Sequence, residues 1–122
     1  MRERGTILVV DDERDVLEMI EAGLGLDGYR VLLADSGEQA IDLVAHHRID
    51  LVISDLRMPG MNGVETIARL RQLAPRVPVI VVTGYLSAAT ADECLALGGV
   101  ELLPKPFPFV DLRHAVRAAL PT

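Results

Sequence analysis

TILVVDDE, residues 6–13, is the stretch that decides the fold, because a short aliphatic run ends abruptly in three acidic residues. Ile7, Leu8, Val9 and Val10 are apolar at consecutive positions, and three of them are β-branched. A strand that is apolar on both faces indicates a sheet covered on both sides, which is typical of parallel sheets. The acidic residues mark the carboxyl end of that strand.

The same strand pattern recurs along the chain and alternates with segments of helical spacing. Strands are predicted at Thr6–Val10, Arg30–Ala34, Leu51–Ser54, Val79–Thr83 and residues 101–103. Five β-α units in a row predict an α/β fold with a parallel sheet, and right-handed crossovers place helices on both faces.

The helical segments carry apolar stripes, but the sequence does not fix the residue at which the first helix ends. Gly23 and Gly25 weaken its end. Ser36 and Gln39 fit a capping box that opens the second helix. The fourth helix is predicted from a stripe that includes Cys94 and Leu95.

Composition sets the broad class of the protein. The 122 residues are expected to form a single domain, residues 1–122. A net charge of −6 argues against direct nucleic-acid binding, which normally needs a basic face. Cys94 is the only cysteine, so no internal disulfide forms, and we interpret it as a buried apolar side chain. No apolar run reaches the length of a membrane span or a secretory signal, so we expect a cytoplasmic protein that does not enter a membrane.

Chemistry-bearing residues follow the predicted strands. Asp11 and Asp12 follow the first, Asp55 the third, Thr83 ends the fourth, and Lys105 lies just after the fifth. Ligands of such sheets bind beyond the carboxyl ends of the strands. Carboxylates gathered there repel one another unless a cation is bound, and Mg²⁺ prefers such hard oxygen ligands.

These residues predict a magnesium site that also handles phosphate. Asp12 and Asp55 are the expected direct ligands, Asp11 acts largely through water, and the backbone carbonyl of Arg57 is a further oxygen. Asp55 is also a potential nucleophile, because carboxylates form acyl phosphates. Lys105 and the Thr83 hydroxyl would then contact phosphoryl oxygens.

The chain resembles the receiver domains of two-component response regulators. The resemblance rests on VVDDE (9–13), SDLRMPGMNG (54–63), VVTG (81–84) and KPF (105–107), in that order. It implies the flavodoxin-like strand order 2-1-3-4-5 and Asp55 as the phosphoacceptor. It also implies Asp11 and Asp12 as the acidic pair, Thr83 as the switch hydroxyl, and Lys105 as the pocket lysine, joined to Pro106 by a cis peptide bond.

The resemblance implies partners as well. The phosphodonor would be a phosphohistidine on a sensor histidine kinase or a histidine phosphotransfer protein. A downstream protein or a fused output domain would bind the surface of the fourth helix, fifth strand and fifth helix, near residues 88–97 and 110–120. A homodimer is possible, and the sequence does not separate a stand-alone regulator from a domain of a longer protein.

The chain departs from the family pattern at Leu102, where receivers usually carry Tyr or Phe three residues before the lysine. Tyr85 could replace that aromatic ring, or it could merely lie at the rim of the pocket.

Three other functions stay open beside the phosphoacceptor: a flavodoxin-type nucleotide binder, a metal-dependent phosphohydrolase, and a degenerate receiver that only binds partners. Asp11-Asp12-Glu13 disfavours the first, because such a loop repels an anion when no metal intervenes.

Overall fold

Five parallel strands and five helices make up the part of the chain that the structure, a computed structural model, describes: residues 4–56, 63–84 and 88–120. The strands are β1 (Thr6–Val10), β2 (Arg30–Ala34), β3 (Leu51–Ser54), β4 (Val79–Thr83) and β5 (Val100–Pro104). The helices are α1 (Arg14–Leu26), α2 (Gly37–His46), α3 (Gly63–Leu73), α4 (Ala88–Ala96) and α5 (Phe109–Ala119). The strand order β2-β1-β3-β4-β5 confirms the predicted topology.

The sheet divides the core into two layers, as its fully apolar strands predict. Ile7 and Val9 of β1 pack into one layer with residues of α1 and α5. Leu8 and Val10 of the same strand pack into the other layer with residues of α2 and α3. Because neighbouring side chains of a strand point to opposite faces, a strand in this position must be apolar throughout. In the observed register Val10 at the end of β1 lies opposite Ser54 at the end of β3, so the two strands end at the same level.

Two details of the prediction need correction, and one boundary that the sequence left open is settled. Helix α1 continues through both glycines, and an added Cβ at Gly23 would lie 2.2 Å from the tip of the Phe109 ring of α5, which would have to shift. Leu95 is half exposed, because α4 buries only a narrow stripe around Cys94. Strand β5 extends to Pro104, which is tolerated because β5 lies at the edge of the sheet, where a backbone donor can be missing.

Other local predictions are confirmed. Ser36 is the N-cap of α2, where its hydroxyl accepts the Gln39 N–H, and the Gln39 side chain accepts the Asp35 N–H at 2.8 Å. Cys94 is fully buried, and burial raises the pKa of its thiol, assisted by the nearby charge of Glu93.

The expectation that the chain does not enter a membrane is tested only through the length and apolarity of its helices. Among the described residues, no helix is long and apolar enough to cross a bilayer.

Gly63 starts α3 for a reason that the sequence did not indicate. Gly63 is not among the glycines with positive φ, so its backbone conformation does not require glycine. A Cβ at this position would instead lie 2.3 Å from the backbone oxygen of Leu56, one residue after Asp55. The absence of a side chain therefore lets the start of α3 lie directly against the chain that leaves β3.

Replacing Gly63 with alanine is expected to destabilise the protein by about 3 kcal/mol, because backbone atoms must move to accommodate the methyl group. Urea unfolding of the variant measures this loss. Gly25→Ala is the matched control, since nothing lies within 4 Å of its Cβ position on α1. That change should stabilise the protein by about 0.5 kcal/mol through helix propensity. Equal effects of the two substitutions would contradict the close contact at Gly63.

Candidate phosphoryl and metal pocket

The carboxyl ends of β1, β3, β4 and β5 meet at one edge of the sheet and form a pocket. Its volume is about 290 Å³. The lining residues are Asp12, Glu13, Asp55, Gly84 and Lys105. Because β1 and β3 are neighbours and all strands run parallel, the residues that follow them are held at the same height. The topology thus places groups together that lie up to 94 residues apart in sequence.

Three carboxylates form the acidic part of the pocket. One oxygen from each of Asp11, Asp12 and Asp55 lies within 4.8 Å of the others. Asp11 and Asp55 are buried, whereas Asp12 is exposed. Carboxylate oxygens at this separation suit a hard divalent cation that keeps part of its water shell. The donor set therefore fits Mg²⁺.

The two oxygens of Asp11 are already held by the protein. Its Oδ1 accepts the backbone N–H of Glu13 at 2.9 Å, and its Oδ2 accepts a hydrogen bond from Lys105 Nζ at 2.8 Å. Asp55 is also held, since its Oδ2 accepts from the same ammonium. The division of Asp11, Asp12 and Asp55 into direct and water-mediated ligands stays a prediction.

Lys105 supplies the positive charge of the pocket. Its Nζ also donates to Asp55 Oδ2 at 2.8 Å, so it bridges two buried carboxylates. Its backbone N–H donates to the Thr83 carbonyl at 2.8 Å, which fixes the loop after β5 against β4. Burial alone would lower the pKa of Lys105, but the hydrogen bonds and charges of Asp11 and Asp55 outweigh it and raise the pKa. The ammonium therefore stays charged at neutral pH.

Thr83 and Ser54 bring hydroxyl groups to the same region. Thr83 is buried at the end of β4, between the strand that leads to Asp55 and the strand that leads to Lys105. Ser54 is fully buried at the end of β3, and its hydroxyl donates to the backbone carbonyl of Asp55 at 3.0 Å. Sequence reasoning singled out Thr83 but missed Ser54, because a serine in a strand carries no signal of its bonding partner.

Several predicted features have a definite structural outcome. The Lys105–Pro106 peptide bond is cis, as predicted. Leu102 is partly buried and packs against the core layer that contains Val79 and Val81, so an aliphatic side chain occupies this position. Arg57 and Tyr85 lie outside the described residues.

A doubly wound α/β sheet with three carboxylates and a lysine at its carboxyl edge defines a class of phosphate- or metal-handling proteins. Within that class, the model of the response regulator receiver domain matches residues 7–117. The chain belongs to this family.

Individual relatives agree with that assignment. The transcriptional regulatory protein ZraR of Escherichia coli (strain K12) is 40% identical over 114 residues, which cover 93% of this chain and 26% of ZraR. The chain spans 25% to 50% of the length of curated relatives of this kind.

Solved structures show the same fold. A CheY-like response regulator receiver domain protein from Methanospirillum hungatei JF-1 superposes with a TM-score of 0.93 at 28% identity, covering 95% of this chain and 93% of that one. A response regulator protein from Burkholderia pseudomallei, solved with a phosphorylated aspartic acid, calcium ion and citrate, gives a TM-score of 0.84 at 30% identity. This match covers 97% of our chain and 67% of the Burkholderia chain.

Proposed function

We propose that residues 1–122 form one receiver domain in which Asp55 accepts a phosphoryl group from a phosphohistidine. The donor is a sensor histidine kinase or a histidine phosphotransfer protein. The observation that carries the proposal is the placement of Asp55, whose Oδ2 lies 2.8 Å from Lys105 Nζ and beside the carboxylates of Asp11 and Asp12. A nucleophilic carboxylate, a cation site and a fixed ammonium are the groups that phosphoryl transfer requires.

Each residue has a distinct task in this proposal. Asp12, Asp55 and the Arg57 carbonyl would hold Mg²⁺, with Asp11 acting through water; the bound ion supplies positive charge that offsets the phosphoryl oxygens. The Asp55 oxygen forms a bond to phosphorus while the bond from phosphorus to the donor imidazole breaks, and the electron pair passes to the imidazole nitrogen. Lys105 pairs with a phosphoryl oxygen, and the Thr83 hydroxyl donates to another.

The structural neighbour from Burkholderia supports this chemistry. That protein holds a phosphorylated aspartic acid and a calcium ion. Calcium is also a hard cation that takes oxygen ligands, although it accepts more ligands at longer distances than Mg²⁺.

The proposed output is a signal, not turnover of an external substrate. The chain assists only its own phosphorylation and dephosphorylation, in the cytoplasm, and phosphorylation shifts a pre-existing equilibrium between two surface shapes. We expect a partner protein, an output domain or a second copy to bind the surface formed by α4, β5 and α5. Exposed apolar side chains on this surface support that expectation. Leu95 of α4 is 52% exposed, and Val110 of α5 is 46% exposed.

The decisive experiment treats the purified chain with acetyl phosphate and follows its intact mass. One added phosphoryl group is expected when Mg²⁺ is present, none in EDTA, and hydroxylamine should remove it because acyl phosphates are labile. Asp92→Asn, an exposed change on α4, is the control and should behave as the unmodified chain does. Steady release of phosphate from phosphate esters over many turnovers would favour a phosphohydrolase instead.

A further inference from the structure

Ser54 occupies a position where core packing alone would favour an aliphatic residue. It lies on the central strand β3, with Val10 of β1 and Val81 of β4 as its register neighbours, and it is fully buried. Both valines belong to the core layer formed with α2 and α3. A buried hydroxyl is unfavourable unless it is hydrogen-bonded, and valine in its place would bury more apolar surface.

The Ser54 hydroxyl donates its proton to the main chain of the proposed phosphoacceptor. The distance from Ser54 Oγ to the Asp55 carbonyl oxygen is 3.0 Å. The other backbone group of Asp55 is held as well, since its N–H donates to the Val10 carbonyl at 2.9 Å. The peptide groups on both sides of the Asp55 Cα are thus held, and with them the direction of the Cα–Cβ bond from which the carboxylate extends.

We propose that Ser54 is a positioning residue that holds the Asp55 carboxylate in the orientation needed for phosphoryl transfer. The inference rests on the proposed phosphoacceptor function and adds to it a residue that never touches the phosphoryl group. Reactions at a positioned nucleophile are sensitive to small displacements, because much of the rate acceleration comes from orientation. The hydroxyl therefore contributes to the rate of transfer through the backbone of Asp55.

Ser54→Val and Ser54→Thr form a matched pair, because the two replacements have nearly the same shape and only threonine keeps the hydroxyl. The valine variant is expected to take up phosphate from acetyl phosphate about five times more slowly at saturating Mg²⁺, the range of one hydrogen bond. The threonine variant is expected to react at nearly the rate of the unmodified chain. Intact-mass time courses measure both rates.

Thermal unfolding of the same variants separates positioning from packing. The valine variant should unfold at the same temperature as the threonine variant or higher, although it reacts more slowly. Val52→Ala, two residues earlier on the same face of β3, should lower the unfolding temperature with little change in the rate of the folded protein.

Two results would overturn the role of Ser54. Equal rates for the valine and threonine variants, whether fast or slow, would show that the hydroxyl makes no contribution. If the rate of phosphoryl uptake fell among the variants only as far as their stability fell, Ser54 would act in packing and not in positioning Asp55. Failure of the unmodified chain to take up any phosphate would instead contradict the proposed function itself, so the two failures are distinguishable.

Discussion

Asp55→Asn is expected to abolish phosphoryl uptake from acetyl phosphate, a loss on the order of a thousandfold or more, because the neutral amide is a poor nucleophile. The substitution also removes one of the three anions that gather at the cation site, so Mg²⁺ affinity should fall. Intact mass after incubation with acetyl phosphate measures the first effect, and Mg²⁺ titration followed by NMR measures the second.

The structure explains why this variant should remain folded. Asparagine has nearly the shape of aspartate, and Lys105 keeps its hydrogen bond to Asp11. One fewer carboxylate in the pocket also weakens the repulsion between like charges. Loss of uptake without loss of the unfolding transition would therefore assign the effect to chemistry at residue 55. Normal, hydroxylamine-sensitive uptake by this variant would exclude Asp55 as the acceptor.

The parts of this pocket that topology controls were predictable from sequence. Asp11 and Asp55 come directly after strands that are recognisable by their aliphatic runs, and Lys105 follows a strand with a weaker pattern. A parallel sheet brings such positions to one edge. Strand ends were less certain where pattern is weak, as at β5, whose apolar run is interrupted by Glu101 and stopped by a proline.

Features that depend on atomic contact were not predictable. The requirement for Gly63 comes from the backbone oxygen of Leu56, and the close contact at Gly23 comes from a ring on α5. The partner of the Ser54 hydroxyl depends on a hydrogen bond between adjacent residues, which composition and periodicity do not record. In each case the sequence shows a small residue, and only the fold shows what lies against it.

Lys105→Met is expected to separate the electrostatic role of the lysine in folding from its role in phosphoryl transfer. In EDTA the variant should lose about 2 kcal/mol of stability at neutral pH, because it leaves buried Asp11 and Asp55 without the ammonium that now bridges them. Added Mg²⁺ should restore much of this stability, since the ion replaces the lost positive charge. Phosphoryl uptake should nevertheless stay at least about tenfold slower at saturating Mg²⁺, because a phosphoryl oxygen has lost its cationic partner.

The stability that Lys105 contributes depends on pH, because the pKa of Lys105 is raised in the folded protein. A raised pKa means that the stabilisation is fully present below the unfolded value of about 10.4 and is lost as pH rises through the folded value. Urea unfolding in EDTA should therefore show a constant gap between the unmodified chain and the variant across neutral pH, and a narrowing gap above about pH 10.

Arg113→Met is the matched control for the lysine variant, because Arg113 of α5 forms a partly buried ion pair with Asp27 at 2.7 Å, outside the pocket. It also lies over the Phe109 ring, 5.0 Å from its centroid, so its loss should lower stability as well. Mg²⁺ should leave the difference in stability between this variant and the unmodified chain unchanged, because both keep the same cation site, and phosphoryl uptake should be unchanged. If Mg²⁺ narrowed the stability gap to the unmodified chain equally for both variants, or for neither, the ion would not be replacing the Lys105 charge.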